Sequence, residues 1–232
     1  MTLTRAASKS HTPLEDPLEY LPCSHVTEYK KGQVIYNQNA PFTSIYLILE
    51  GKVKVSRLAE SGRQVLVNIY QTNEFFGESA LVRVPQRPEG AMALENTKLM
   101  TWAASEVEEL VMRKPRLGIA FLQMLAQRTT EFARRIESFS ADNIAQRLAR
   151  CLMNLSERMG TPQEDGSVSM VHFTHELLAE DIGTSREIVT HYMNQFRNQG
   201  YLQYSRKGIV LYHDALYTWL RSTSPKPAKF RT

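Results

Sequence analysis

No stretch of this chain approaches the ~20 consecutive apolar residues that a membrane-spanning helix needs. The opening segment, MTLTRAASKSHTPLEDPLEY, holds no apolar run that could serve as a secretory signal, so a cytoplasmic protein with no membrane partner is expected. Cysteine is scarce: there are 2, Cys23 and Cys151. They lie far apart and outside any C-x-x-C pair, and together they cannot supply the four ligands of a typical iron–sulfur cluster or structural zinc. Neither group is expected. Cys151 sits in the apolar run 148–155 and reads as a small core residue, whereas Cys23, in Leu-Pro-Cys-Ser, is the thiol with a redox role open to it. A glycine-rich phosphate loop, a metal-ligand spacing and a nucleophile–base pair are all missing, as is any internal repeat. An enzyme therefore has little support, and no catalytic residue is assigned.

What is present fits a globular protein. The 232 residues are 42% hydrophobic and 22% charged, which leaves room for one large or two ordinary domains, each with its own core. The net charge of +4 agrees with a polyanionic partner without demanding one.

Residues 1–20 are polar and read as a flexible arm. From Val26 to about Thr101 short strand candidates follow one another. A turn and strand fill Tyr29–Tyr36, then come Ser44–Glu50, Lys52–Arg57, Gln64–Tyr70, Ala91–Leu94 and Lys98–Trp102, with Ser61-Gly62 as a hairpin turn. Many short strands with glycines at the corners predict a jelly-roll barrel over 21–115. The strands then stop. Ala104–Arg113 reads as a short helix ended by Pro115, and a long helix is predicted over 116–140. Along it Ile119, Leu122, Leu125, Ala126, Thr129, Phe132, Ala133, Ile136 and Phe139 form a seam close to the 3.5-residue repeat that suits a parallel partner helix. The alternative is a helix that merely packs on its own barrel.

The region 141–221 carries the clearest pattern. After a helix from about Asn143 to Leu155 and a strand over Val168–Phe173, the stretch Phe173–Gly200 reads as two helices joined by a tight turn at Gly183. Thr184 or Ser185 can cap the second helix, and Thr184 with Glu187 has capping-box spacing. Ile188, Val189, Tyr192, Met193 and Phe196 recur at helical spacing and are expected to bury, with Gly200 as the stop. Ser185, Arg186, Glu187, Thr190 and His191 are left outside. Two strands, Tyr201–Tyr204 and Ile209–Tyr212, flank the basic turn Arg206-Lys207-Gly208 as a wing. A helix over His213–Leu220 capped by Asp214 and a flexible tail over 222–232 complete the chain. The layout predicts a winged helix-turn-helix whose second helix enters the major groove of DNA. The rival is a module whose helix-turn-helix binds protein.

A small barrel, a long seam helix and a winged helix-turn-helix in this order resemble the cyclic-AMP receptor protein/FNR (Crp/Fnr) family of bacterial transcription regulators. The matching words are Ile45–Val53, Ser61-Gly62-Arg63, Phe75-Phe76-Gly77-Glu78, Arg147-Leu148-Ala149 and Gly183–Glu187. The resemblance implies an α+β fold: an N-terminal cyclic-nucleotide-binding-like β jelly-roll barrel, a long dimerisation helix and a C-terminal winged helix-turn-helix. It also implies a homodimer through 116–140 that binds double-stranded DNA at a two-fold site and meets RNA polymerase, with an effector in the barrel.

By that resemblance Arg186 reads guanine, Glu187 contacts cytosine and Ser185 touches a phosphate. His191 stands where one branch has a second Arg, and it is a weaker, shorter reader. Thr190 is placed to touch a thymine methyl. Arg206, Lys207 and Arg147 are candidate phosphate contacts. The expected effector pocket comprises Gly77, Glu78, Ser79, Glu89, Gly90 and Thr129. Here the sequence departs from the family pattern, because Glu89 and Gly90 fall where the nucleotide-binding branch has Arg-Ser, and a carboxylate beside a phosphate repels it. Phe132-Ala133 replaces the adenine-contacting Thr-Ser pair. Arg83 and Arg87 are near enough to substitute. Cyclic AMP in the usual mode is therefore not expected, and another effector, or none, fits the residues at least as well. His11 and His25 are weak haem candidates.

Overall fold

The structure, a computed structural model, describes residues 14–41, 43–82 and 88–223. Two antiparallel four-stranded sheets form the barrel. One has the order β1 (His25–Tyr29), β8 (Thr97–Ala103), β3 (Ser44–Glu50), β6 (Phe75–Phe76), and the other β2 (Val34–Tyr36), β7 (Gly90–Ala93), β4 (Lys52–Leu58), β5 (Gln64–Gln71). Successive side chains of a strand point to opposite faces, and β3 buries both. Tyr46 and Ile48 point between the sheets, into a core with Val53, Val55, Tyr70, Phe76 and Leu99. Ile45 and Leu47 point outward, into a second core with Trp102, Val107, Leu117 and Phe121. That explains the near-continuous apolar run in its sequence. Tyr36, Tyr46, Phe76 and Tyr70 stack through the barrel interior, with the Tyr46 and Phe76 ring centroids 4.9 Å apart.

Helix α1 (Ala104–Arg113) closes the barrel, and α2 (Pro115–Ala141) follows with proline at its first position, where the missing N–H costs nothing. The two halves of α2 are buried differently. Its first turns pack on the barrel through Leu117, Ala120 and Phe121, while Ile119, Leu122, Phe132, Ile136 and Phe139 stay exposed. The 14–20 segment lies along this helix: the Glu15 amide donates to Gln123 at 2.9 Å, and Arg116 pairs with Glu15 at 3.3 Å.

Asp142-Asn143 separates α2 from α3 (Ile144–Met159). Asn143 begins α3 with a complete capping box, accepting from the Gln146 amide at 3.0 Å while Gln146 accepts from the Asn143 amide at 2.9 Å. Strands β9 (Thr161–Pro162) and β10 (Val168–Met170) lead to α4 (His175–Ile182) and α5 (Arg186–Asn198). Strands β11 (Leu202–Ser205) and β12 (Gly208–Leu211) form the wing, and α6 (His213–Thr223) closes the domain. The sheet order β11-β12-β10-β9 joins the wing to the strands before the helix-turn-helix.

Several local expectations are corrected. β1 is a strand in its own right, paired with β8 from His25↔Thr101 to Tyr29↔Thr97. β10 stops at Met170, because Thr174 leaves the extended run to cap α4, accepting from the Leu177 amide at 3.2 Å. Ser185, not Thr184, caps α5. The Thr184 amide is spent closing the previous helix on the Ala179 carbonyl at 3.0 Å, next to the left-handed Gly183 (φ 69°). Asp214 lies inside the first turn of α6 rather than before it. Ile188 is exposed, since Val189, Met193 and Phe196 fill the core and leave it at the stripe's edge.

The C-terminal domain is docked on the barrel. Leu66 and Ile69 of β5 belong to the same buried cluster as Leu178, Ile182 and Phe196. Arg135 of α2 donates to the carbonyls of Leu66, Val67 and Asp181 at 2.8, 2.9 and 2.8 Å and pairs with the Asp181 carboxylate at 2.7 Å. Lys54 of β4 pairs with Glu180 of α4, both largely buried. Arg158 of α3 reaches Asn68, the Ile69 carbonyl and Glu74.

Candidate nucleic-acid interface and barrel pocket

The tip of α5 presents the residues singled out from the sequence. Ser185 is its cap, and Arg186, Glu187 and His191 are exposed. Among the described residues the Arg186 guanidinium has no hydrogen bond or ion pair. Its five N–H donors form a fixed fork, free to meet a two-acceptor base edge. Glu187 is titrated below the usual carboxylate range by its own backbone N–H and by the Ser185 hydroxyl. It is therefore ionised at neutral pH and can only accept. Its site in the first turn also suits the positive end of the helix dipole.

Thr190, one turn on, is half-buried and engaged. Its hydroxyl donates to the Arg186 carbonyl at 2.9 Å, and His175 Nδ1 lies 2.7 Å from the same oxygen. No local sequence pattern marks His175. It opens α4, and its ring meets the edge of Tyr204 at 5.4 Å between centroids. Tyr204 in turn donates to Asn194 at 3.0 Å and lies beneath Arg197, so the wing is tied to the recognition helix. Arg206 and Lys207 are exposed and form the two-residue turn between Ser205 and Gly208, where the Lys207 amide donates to the Ser205 hydroxyl at 3.1 Å. Arg147 is held otherwise than expected. It donates to the Ile182 carbonyl at 3.0 Å with its guanidinium 5.2 Å from the Phe139 ring centroid, bracing the turn at Gly183. A Cβ added at Gly183 would stand 3.0 Å from Phe139, so the turn also needs glycine for space.

In the barrel, Gly77 is left-handed (φ 82°), and a Cβ there would sit 3.0 Å from both the Ser44 carbonyl and the Tyr46 ring. It starts the 3-10 turn Glu78–Leu81 that carries Glu78 and Ser79. Glu78 is not open to a ligand in the way the sequence suggested. Its carboxylate is 2.6 Å from Arg128 of α2, whose side chain is 11% exposed. The same guanidinium donates to the Phe75 carbonyl and lies 4.8 Å from the Tyr70 ring centroid. Burial, then the nearby Glu78 carboxylate, pushes the Tyr70 phenol up, so it stays protonated. The Ser79 hydroxyl donates to Glu89 at 2.6 Å. Gly90 begins β7 opposite Ser56.

The structure thus brings Gly77, Glu78, Ser79, Glu89 and Gly90 to one end of the barrel. It does not bring Thr129 to them: that residue is exposed, its hydroxyl bonded to the Leu125 carbonyl at 2.9 Å. Arg128, beside it, is the α2 residue that enters the pocket. A signal existed, since Arg128 and Arg135 are seven residues apart and share one helix face, and both turn to the barrel. Arg83 and Arg87 lie outside the described residues, as does His11. His25 is exposed on β1, and Cys23 is exposed. Cys151 is buried in the reading-domain core, its thiol pushed well up by burial and by the Asp181 carboxylate. The described residues hold no cluster of three or more metal-ligating side chains, and no helix among them is long and apolar enough to cross a membrane.

Comparison with known proteins adds two family matches. The cyclic nucleotide-binding domain matches residues 26–114, and the Crp-like helix-turn-helix domain matches residues 146–218. A CRP-like cAMP-activated global transcriptional regulator of Mycobacterium tuberculosis is 25% identical over 185 residues, covering 79% of this chain and 82% of the relative. A global nitrogen regulator of Synechocystis is 27% identical over 191 residues, covering 81% and 84%. The solved structure of a CRP/FNR-family transcriptional regulator from Thermus thermophilus superimposes with a TM-score of 0.70 at 27% identity, over 87% of this chain and 100% of that one.

Proposed function

This chain belongs to the Crp/Fnr family of bacterial transcription regulators, and we propose that it acts as a homodimer reading a two-fold DNA site. The observation that carries the reading is the open tip of α5, where Arg186 and Glu187 face solvent on a capped, rigid helix. Arg186 grips the O6 and N7 of a guanine, and Glu187 accepts from the N4 amino group of a cytosine. Ser185, Arg206 and Lys207 lie where phosphates pass, and they add affinity rather than selectivity. His191 reads more weakly than an arginine would, which relaxes or changes one base pair of the half-site.

The dimer forms along α2. Leu122 is 62% exposed and Ile136 67% exposed in the single chain, an unfavourable display for side chains of this size unless a second helix covers them. Two chains joined there set their recognition helices one DNA turn, about 34 Å, apart. Contact with RNA polymerase follows from the family.

The barrel does not suit cyclic AMP in the usual mode. Glu78 is neutralised from within by Arg128, and Glu89 adds a carboxylate where a phosphate would need a cation. The names of the relatives do not choose an effector, since one is cAMP-activated and another is a nitrogen regulator. The second reading, a cyclic nucleotide held by a rearranged phosphate site, rests on Arg83 and Arg87. A helix-turn-helix that binds protein is the third, and the exposed Arg186 and basic wing speak against it.

The deciding measurement is selection of binding sites from random DNA by the purified chain at a stated salt concentration, with and without cyclic AMP. A two-fold site enriched without nucleotide supports the proposal whole. Enrichment only with the nucleotide overturns the reading of the pocket and keeps the regulator. Leu122→Arg with Ile136→Arg should yield a monomer by sedimentation and lose the two-fold site. A doubly substituted chain that stays dimeric would remove α2 as the seam.

A further inference from the structure

We infer that Thr190 reads a thymine through its methyl group and that His175 is the residue that positions it. The inference rests on the DNA-reading role proposed for α5 and on the thymine-methyl contact expected of Thr190, and it goes beyond both by assigning the residue on another helix that sets the Thr190 rotamer. A threonine hydroxyl has one proton and two lone pairs. In Thr190 the proton goes to the Arg186 carbonyl, 2.9 Å away on the preceding turn. With that proton on the Arg186 carbonyl, the imidazole 2.7 Å away is assigned as the donor, the Nδ1–H tautomer of His175.

With Oγ1 held from two sides, the side chain can no longer choose its rotamer. A helical threonine ordinarily divides between two settings, one of them with Oγ1 on the carbonyl of the turn before. Here that setting is locked by a second helix, and Cγ2 is the atom of Thr190 left uncommitted. The lock is itself braced, since the His175 ring packs against Tyr204 of the wing, which is bonded to Asn194 of α5. A methyl at the second turn of a recognition helix, beside an arginine that engages a guanine, has one natural partner in the major groove. The C5-methyl of thymine is the apolar group exposed there. A hydroxyl free to turn outward would instead have met donors and acceptors of several bases and selected none.

The test uses the full chain and a DNA site obtained by selection, with each thymine of one half-site replaced in turn by uracil, which lacks only that methyl. One position should lose about four-fold in affinity, the worth of one buried methyl-sized group. Thr190→Ser should erase that difference, and Thr190→Val should keep it. His175→Ala should reduce it by freeing the rotamer, and His175→Asn, which retains an N–H near the Nδ1 position, should restore it. A purely structural role for His175 would change stability and leave the thymine-to-uracil ratio alone. Arg186→Ala separates the two levels. If it loses guanine discrimination while uracil is neutral at every position, the Thr190 assignment falls and the reading of α5 stands. If guanine discrimination is also unmoved, the reading of α5 falls and this inference with it.

Discussion

The barrel pocket and the tip of the recognition helix are built from the same kinds of residue and use them in opposite ways. In the pocket, the Glu78 carboxylate is closed by Arg128 at 2.6 Å, and Ser79 is closed by Glu89 at 2.6 Å. At the tip, the Arg186 guanidinium faces solvent without a partner among the described residues, and the neighbouring Glu187 carboxylate, held by its own backbone N–H and the Ser185 hydroxyl, is exposed as well. The pocket acts on the fold of its own chain: Arg128 ties the turn after β6 to α2, as Arg135 ties α2 to β5 and α4. The tip keeps the five donors of Arg186 uncommitted among the described residues. A charge satisfied inside the chain stabilises that chain, and a charge left in water is available to a partner at little desolvation cost.

The largest expected effect tests the closed side of that comparison. Arg128→Ala leaves Glu78 without its cation in a poorly solvated pocket and should cost about 3 kcal/mol of stability in urea unfolding. Adding Glu78→Gln should recover a substantial part, because the uncompensated charge is gone. A cost under about 0.5 kcal/mol would mean that the pair is water-separated and the pocket open after all.

The open side predicts a different signature. Arg186→Ala should leave stability within about 0.5 kcal/mol of the parent, as for surface substitutions generally. It should instead lose ~1–3 kcal/mol of discrimination at one guanine in competition binding. Equal weakening on every sequence would make Arg186 a phosphate contact. Ser185 lies between the two regimes, serving the fold as the cap of α5 and standing at the proposed DNA face. Ser185→Ala should cost about 1 kcal/mol of stability, read from the urea midpoint, and should weaken binding without changing base preference.

The open side was also the more legible in the sequence. Gly183, the hydroxyl pair after it and the Val189, Met193, Phe196 stripe all lie within one short stretch, and local rules sufficed to place Arg186 and Glu187. The pocket depended on contacts distant in sequence. Glu78 and Arg128 belong to different elements, and the family resemblance pointed to Thr129, one turn before Phe132-Ala133, whose hydroxyl is instead exposed and bonded to the Leu125 carbonyl. The docking of α4 on β5 was invisible for the same reason. Leu66 and Ile69 are three residues apart and reach one face only because the β4–β5 register shifts between Val55 and Ser56, and nothing local says that they bury against the C-terminal domain rather than within the barrel. Local pattern gave the faces of α2, and only the tertiary structure gave each face its neighbour.

The smallest effect concerns a residue that belongs to both descriptions. His175 is half-buried within the reading domain yet adjoins the open tip. Burial first, then the charges of His172 and Arg186, holds its pKa below the ordinary histidine value. The unfolded chain therefore takes up a proton at a higher pH than the folded chain. The sign follows: the stability due to neutral His175 is fully present above the unfolded value of about 6.5 and is lost as pH falls through and below it. Urea unfolding at pH 7.5 and pH 5.5 should show a slightly larger loss for the parent than for His175→Asn. Base selectivity should behave differently. A protonated imidazole carries the same Nδ1–H that holds Thr190 as the neutral Nδ1–H tautomer does, so the thymine-to-uracil ratio should not change between the two pH values. If the ratio collapsed on acidification, Thr190 would be the donor to a neutral Nδ1, and the tautomer assigned from the Arg186 carbonyl would be wrong.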